Sequence, residues 1–288
     1  MKNKRNNRKG ETKSFKLLPV FLAAVLALIL GFAVPEIWAG NHNEENDDDE
    51  IEFAVAKLFF ELNNTDEDLG IHALIDGEPW KKLRIEDPKE RKLLDVKVKG
   101  RLRKQGLTEF FFESAEPTFD ELSPEEFFDR FPAGTYEIEG ITLEGEELES
   151  EVELTHVMPA PADPTVNKEP MADQCDDEES GYNATVVEKG MPVTIAWEAV
   201  MWSHPDADGA GAGVQPPVPV TIVNYEVVVE VEINNEFASV FSIILPPDLM
   251  SITIPEEFLD LGDTFKYEVL AREESYNQTA VESCFVLE

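Results

Sequence analysis

The chain has 288 residues, 60 acidic against 24 basic side chains, a formal charge of −36 and two cysteines. Apolar residues make up 42%, which excludes wholesale disorder, and the length suggests about two domains at roughly 100–150 residues each. The charge argues against nucleic acid, whose phosphates need clustered Lys and Arg, and against docking onto anionic lipid.

The first 16 residues carry seven basic side chains and one acid, and an apolar run follows from Leu17 to Val34. A basic flank, an apolar run and a small residue ahead of a polar chain describe a secretory signal, with cleavage expected after Ala39. The apolar run also reaches the lower edge of a membrane span, so an uncleaved anchor stays open. Both readings place residues 40 onward outside the cytoplasm: secreted, periplasmic or at the cell surface. Cleavage would leave 58 acids against 17 bases, a net charge of −41. Acids are scattered through every segment, which reads first as a solvated surface and second as divalent-cation binding.

Residues 40–50 contain no large apolar group and read as an acidic tether. Residues 51–158 read as a β-rich domain. Strands are expected at Phe53–Leu62, Ile71–Ile75, Trp80–Ile85, Leu93–Val98, Leu107–Glu113, Thr135–Thr142 and Glu151–His156. One helix is signalled by Ser123 as cap, Pro124 in the first turn and Glu126 completing a Ser-x-x-Glu box. It ends at Pro132 and Gly134. Its Phe127, Phe128 and Phe131 read as core packing rather than as a ligand pocket.

Residues 159–179, with Pro159, Pro161, Pro164 and Pro170, read as a linker. Residues 180–288 return to alternation. Tyr225, Val227, Val229, Val231 and Ile233 fall on one side of a strand, with Glu226, Glu230 and Glu232 among their neighbours. Further strands are expected at Ala184–Lys189, around Val193–Trp197, at Phe237–Leu245, Ile252–Ile254, Phe265–Ala271 and Val281–Leu287. The fold class is all-β: two consecutive β-sandwich-like domains, the first with one short helix.

Residues 180–288 resemble a fibronectin type III domain. The resemblance rests on Val193-Thr-Ile-Ala-Trp197-Glu, on Asn224-Tyr225-Glu-Val, and on Leu259-Asp-Leu-Gly262-Asp-Thr-Phe265-Lys-Tyr267-Glu-Val269-Leu-Ala271. It implies a seven-strand sandwich around Trp197. Phe265 stands at the position of the family's tyrosine corner and lacks the hydroxyl. The loop Met201–Val218 is long. The first domain is only loosely Ig-like, through Phe131-Pro-Ala-Gly-Thr-Tyr136.

His42, His72, His156 and His204 lie in unrelated contexts, and the chain has no His-Glu-x-x-His, Gly-x-Ser-x-Gly or P-loop motif. Gly209-Ala-Gly211-Ala-Gly213 reads as flexible loop. No catalytic residue and no cofactor is expected, and the chain reads as a non-enzyme. Calcium is the one ion with candidates. Asn64-Thr-Asp66-Glu-Asp68-Leu-Gly70 places oxygens at alternate positions, and Asp206-Ala-Asp208-Gly209 offers two carboxylates and a turn glycine. Both depart from the EF-hand, and a polar Asx turn is the plainer reading. Sequons stand at Asn63, Asn183 and Asn277. Cys175 and Cys284 are expected to pair, with Cys284 facing outward if Phe285 and Leu287 face in.

Two functional classes follow. One is an exported, acidic, non-catalytic module that binds protein or glycan, adheres or spaces. The other is a polysaccharide-active enzyme or its carbohydrate-binding accessory.

Overall fold

The computed structural model describes residues 51–172, 175, 184–204, 217–233 and 236–288. The expected signal at 1–39, the tether at 40–50, Asn183, Asp206, Asp208 and the glycine-rich loop lie outside the described residues.

In chain order the strands are β1 (Val55–Asn63), β2 (Asp68–Glu86), β3 (Lys92–Lys97) and β4 (Leu107–Glu113). Helix α1 (Pro124–Arg130) precedes β5 (Gly134–Thr142), β6 (Glu147–Leu154), β7 (Thr165–Val166) and β8 (Glu169–Pro170). Then come β9 (Thr185–Val187), β10 (Thr194–Ala196), β11 (Ile222–Ile233), β12 (Glu236–Leu245) and β13 (Ser251–Thr253). Helix α2 (Glu256–Leu259), β14 (Thr264–Glu273) and β15 (Gln278–Leu287) complete the order.

Two runs expected as separate strands, 71–75 and 80–85, are one strand, β2. Its first half pairs with β1 and β4, and its second half pairs with β3 and β5. The register shifts between Asp76 and Trp80, where Gly77 and Pro79 interrupt the ladder and let the strand turn from one side of the core to the other. Ile51 N–H donates to Glu147 O, and Glu149 N–H donates to Ile51 O, so the chain ahead of β1 returns to β6. The core inside holds Leu58, Phe60, Leu62, Ile71, Trp80, Tyr136 and Ile138. Helix α1 seals it with Phe127 and Phe128. Ser123 Oγ accepts from Glu126 N–H at 3.3 Å, as the capping motif implies.

The second core lies between two sheets that form a β-sandwich. One sheet runs β12-β11-β14-β15, and the other runs β13-β10-β7-β8. Tyr225, Val227, Val229 and Val231 all enter it, as their alternation requires, with Trp197, Phe265, Val269 and Phe285. Phe265 lies flat on Phe285, ring centroids 4.8 Å apart. A hydroxyl-to-backbone bond of the tyrosine-corner kind occurs instead in the first core, where Tyr136 Oη donates to Pro132 O at 3.0 Å.

The two apolar cores divide the sequence between Met158 and Ala162. The backbone does not divide there. The stretch expected as a linker contributes β7 and β8 to the second sandwich. One 11-stranded sheet also crosses between the cores through parallel pairing of β1 with β15. This corrects the expectation of two domains without a shared sheet. Edge strands β1 and β15 each leave a row of unpaired backbone groups, and pairing them satisfies both. The described residues from Ile51 to Glu288 accordingly form one compact unit. Among the described residues no helix is long and apolar enough to cross a membrane.

Cys175 and Cys284 form the expected disulfide, with Cα atoms 5.8 Å apart. Cys284 does not face solvent: it is fully buried. Ala172 N–H donates to Ser283 Oγ at 2.8 Å, while Cys175 bonds the next residue. Successive strand residues point to opposite faces, so Ala172 and Cys175 meet β15 from its two faces.

Candidate functional site

The β1–β2 hairpin has two unlike faces. Leu58, Phe60 and Leu62 enter the first core, with Leu69, Ile71 and Ala73 opposite them. The alternate positions carry Phe59, Glu61 and Asn63 against Asp68, Gly70 and His72. The sheet continues through β15 and β14, where the corresponding face presents Gln278, Glu282, Glu268 and Arg272. The result is a polar seam beside the joint between the cores, and much of it is closed to solvent. Glu61 is 6% exposed, Asp68 5%, His72 2%, Glu226 1% and Arg272 5%.

Hydrogen bonds run through the seam. Arg272 donates to Gln278 Oε1 at 2.7 Å, to Asn224 Oδ1 at 2.9 Å and to Glu226 Oε2 at 3.2 Å. Gln278 Nε2 donates in turn to Glu61 Oε2. Asn63 Nδ2 donates to Glu282 Oε1 at 2.7 Å. Behind the strands, fully buried Asn277 accepts from Phe60 N–H at 2.8 Å. Its amide donates to Thr155 O at 3.0 Å and Val157 O at 2.9 Å. The sequon asparagine is therefore a structural tie whose amide nitrogen is occupied.

The imidazole of His72 lies between two carboxylates: Nε2 is 3.1 Å from Glu116 Oε1, and Nδ1 is 3.9 Å from Glu61 Oε2. Its ring rests near Phe59 at 5.4 Å and Phe111 at 6.2 Å. Glu116 arrives from the segment after β4, which folds back on the hairpin: Phe119 N–H donates to Glu67 O, and Ser114 N–H to Ile71 O. Gly70 makes room for it. A Cβ on Gly70 would stand 2.5 Å from Glu116 Oε1.

The electrostatics follow from burial. Loss of water raises the carboxyl of Glu61 against the opposing pull of His72. Burial, then the charges of Glu116 and Asp66, push Asp68 to about 7. Burial and Asp66 push Glu282 to about 7. Glu268, directly across the ladder from Glu282, is raised well above the carboxylate range by desolvation and by the charges of Glu61 and Glu282. Burial alone would lower His72, but the Glu116 hydrogen bond and the nearby carboxylates outweigh it and raise the imidazole.

The calcium candidates of the hairpin are drawn to different partners. Asn64 Oδ1 lies 3.1 Å from His204 Nε2. Asp66 Oδ2 accepts from Asn63 Nδ2 at 3.3 Å. Asp68 is buried at the start of β2 and bridges to Thr118. The turn itself is an Asx turn, with Asn63 Oδ1 accepting from Thr65 and Asp66 N–H. Among the described residues, metal-ligand atoms converge at Glu61, His72 and Glu116, and at Glu86, Glu137 and Glu139. The second group is already balanced in part by Arg84, 3.2 Å from Glu86 and 3.7 Å from Glu139. The first group was missed in the sequence. Its one legible signal is the hairpin register, which sets Glu61 opposite Gly70 and diagonal to His72. Nothing in the sequence marks Glu116.

No protein-family profile matches this sequence, and no curated protein matches it. Solved structures align weakly. The FN1–FN3 domains of chicken CNTN1 share 8% identity over 82% of this chain and 65% of that one, with a TM-score of 0.31. A 1.5-MDa bacterial ice-binding adhesin shares 8% identity over 83% of this chain and 65% of that one, at 0.22. A tetra-tandem repeat from the extending region of a large adhesion protein shares 9% identity over 81% and 50%, at 0.25. This chain spans 65% or less of each of them, and at such TM-scores the likeness carries no argument.

Proposed function

We propose that the chain is an exported, non-catalytic module that binds protein or glycan, adheres or spaces at or beyond the cell surface, with residues 180–288 a fibronectin type III-like unit. The observation that carries this reading is how the two cores are fastened. The shared sheet, the buried tie of Asn277 and the Arg272–Gln278–Glu61 chain fasten the two cores to each other, which suits a module that spaces or presents a surface. The disulfide suits an oxidising compartment. The acidic surface keeps such a stalk soluble and apart from its neighbours.

The test is to coat beads with the purified chain and measure their attachment to glycan panels and cell surfaces, alongside a glycosidase and protease screen. Attachment without turnover is expected. Turnover abolished by one carboxylate substitution would establish the polysaccharide-active alternative instead. Spin labels on the two cores should report one narrow distance distribution; a broad one would remove the argument from their fastening.

A further inference from the structure

We propose that Glu61, His72 and Glu116 form a binding site for a zinc-type divalent cation that ties the β1–β2 hairpin to the segment after β4, beside the joint between the two cores. One ligand atom from each of the three residues lies within 4.8 Å of the other two. In a tetrahedral zinc site, bond lengths near 2.1 Å put ligand atoms roughly 3.4 Å apart. His72 Nε2 and Glu116 Oε1, 3.1 Å apart, are close to that spacing. The cation takes Nε2 with Glu116, and Glu61, whose Oε2 faces Nδ1 at 3.9 Å, reaches it by side-chain rotation.

The donor set selects the ion. Calcium and magnesium favour oxygen ligands alone, whereas an imidazole with carboxylates suits zinc and its transition-metal neighbours. Once the site gives up its protons, two carboxylates with a neutral imidazole balance the charge of a dication. The surroundings supply the outer support that metal ligands require. Gln278 orients Glu61, Arg272 orients Gln278, and Phe59 and Phe111 flank the imidazole. Gly70 is the residue whose missing side chain admits the Glu116 carboxylate.

The place also says what the ion does. His72 and Glu61 are almost wholly buried beneath the 114–119 segment, so no substrate reaches the ion, and its work is structural. It ties β1, β2 and the segment after β4 together, with outer support from β15 across the joint. Because ligands bind metal deprotonated, the cation competes with the proton on His72, and its affinity falls as pH is lowered.

The experiment titrates the full chain, stripped with chelator, with Zn2+ in excess Ca2+ that occupies the scattered surface acids. Co2+ serves as a spectroscopic probe of a nitrogen-containing site. A single Zn2+ per chain is expected, with a Co2+ absorption spectrum of low-coordinate type. Outer-shell changes at metal sites cost about 10–100-fold in affinity, so H72N and E116Q should lose at least about 100-fold. G70A retains all three donors, and by displacing Glu116 it should weaken binding by about tenfold or more. Glu116 lies in a half-buried surface segment, so E116Q tests the site in a folded chain, with circular dichroism as the check. Failure of the parent chain to bind Zn2+ more tightly than H72N would overturn the proposal, as would unchanged affinity in E116Q and G70A.

Discussion

The apolar cores and the polar seam beside their joint achieve burial by opposite means, on opposite faces of the same strands. Leu58, Phe60, Leu62 and Ile71 are held by removal of area from water, which asks for no particular partner. Glu61, Asp68, His72, Glu282 and Arg272 are held by specific partners, and each loses stability when its partner is removed or its charge changes. The cores therefore respond to lost volume and the seam responds to pH. A single hairpin couples the two responses.

The largest effect is expected from emptying a core. Phe60 is fully buried and touches the rings of Phe127, Phe128 and His156, so Phe60→Ala should cost about 3–5 kcal/mol in urea unfolding at any pH. Next is the disulfide. Replacing both cysteines by alanine opens a loop closed over a separation of 109 residues and should cost about 4 kcal/mol by loop-closure entropy. The loss should show as a lower denaturation midpoint. An unchanged midpoint would mean that the loop is closed by contacts other than the disulfide.

Asn277→Ala should cost about 3 kcal/mol, because it strands Phe60 N–H and the carbonyls of Thr155 and Val157 in a dry site. If the seam matters to the joint, the same variant should also loosen it, seen as faster hydrogen exchange at 61–63 and 278–280.

The smallest effect is the most discriminating, because its sign is opposite to the others and its size depends on pH. Asp68 and Glu282 titrate at about 7 when folded and near 4 when unfolded. A raised folded value gives stability that is complete below the unfolded value and is lost as pH rises to about 7. The chain should thus be more stable at pH 5 than at pH 8. Asp68→Asn should stabilise it at pH 8 by about 1–2 kcal/mol, discounted for residual solvent, and leave it almost unchanged near pH 4. A flat difference across pH would show that the carboxylate is hydrated after all.

The cores were the legible part of the molecule. Period-two alternation from Tyr225 to Val231 puts those residues inside the second core. The Ser123 motif marks α1, and the chain's two cysteines pair. Local chemistry decides each of these. The joint was not legible, because pairing β1 with β15 depends on two strand edges that meet only in space. For the same reason the polar alternates read as solvent-facing: Glu61, Glu226 and His72 look like any acid or histidine on a wet strand until another strand or segment covers them. Cys284 lies on the face opposite Phe285 and Leu287, as their alternation implies, and it is buried there rather than wet. Pro-rich residues 159–179 read as linker because strands β7 and β8 are two residues each, too short to show a period.

The parallel pairing of β1 with β15 also sets an order of events. Phe60 N–H waits for Asn277, 217 residues further along the chain. Contacts of such separation form late, because the intervening chain must be ordered first. In a chain delivered from its N-terminus, the hairpin of β1 and β2 is in place long before its last neighbour emerges, and its outer edge stands exposed as a template for any passing strand. Residues 277–280 are thus a latch that shuts only after the strands of the second core have emerged. During refolding, amide protection at Phe60 should appear with that of β15 and after that of Ile71 and Ala73.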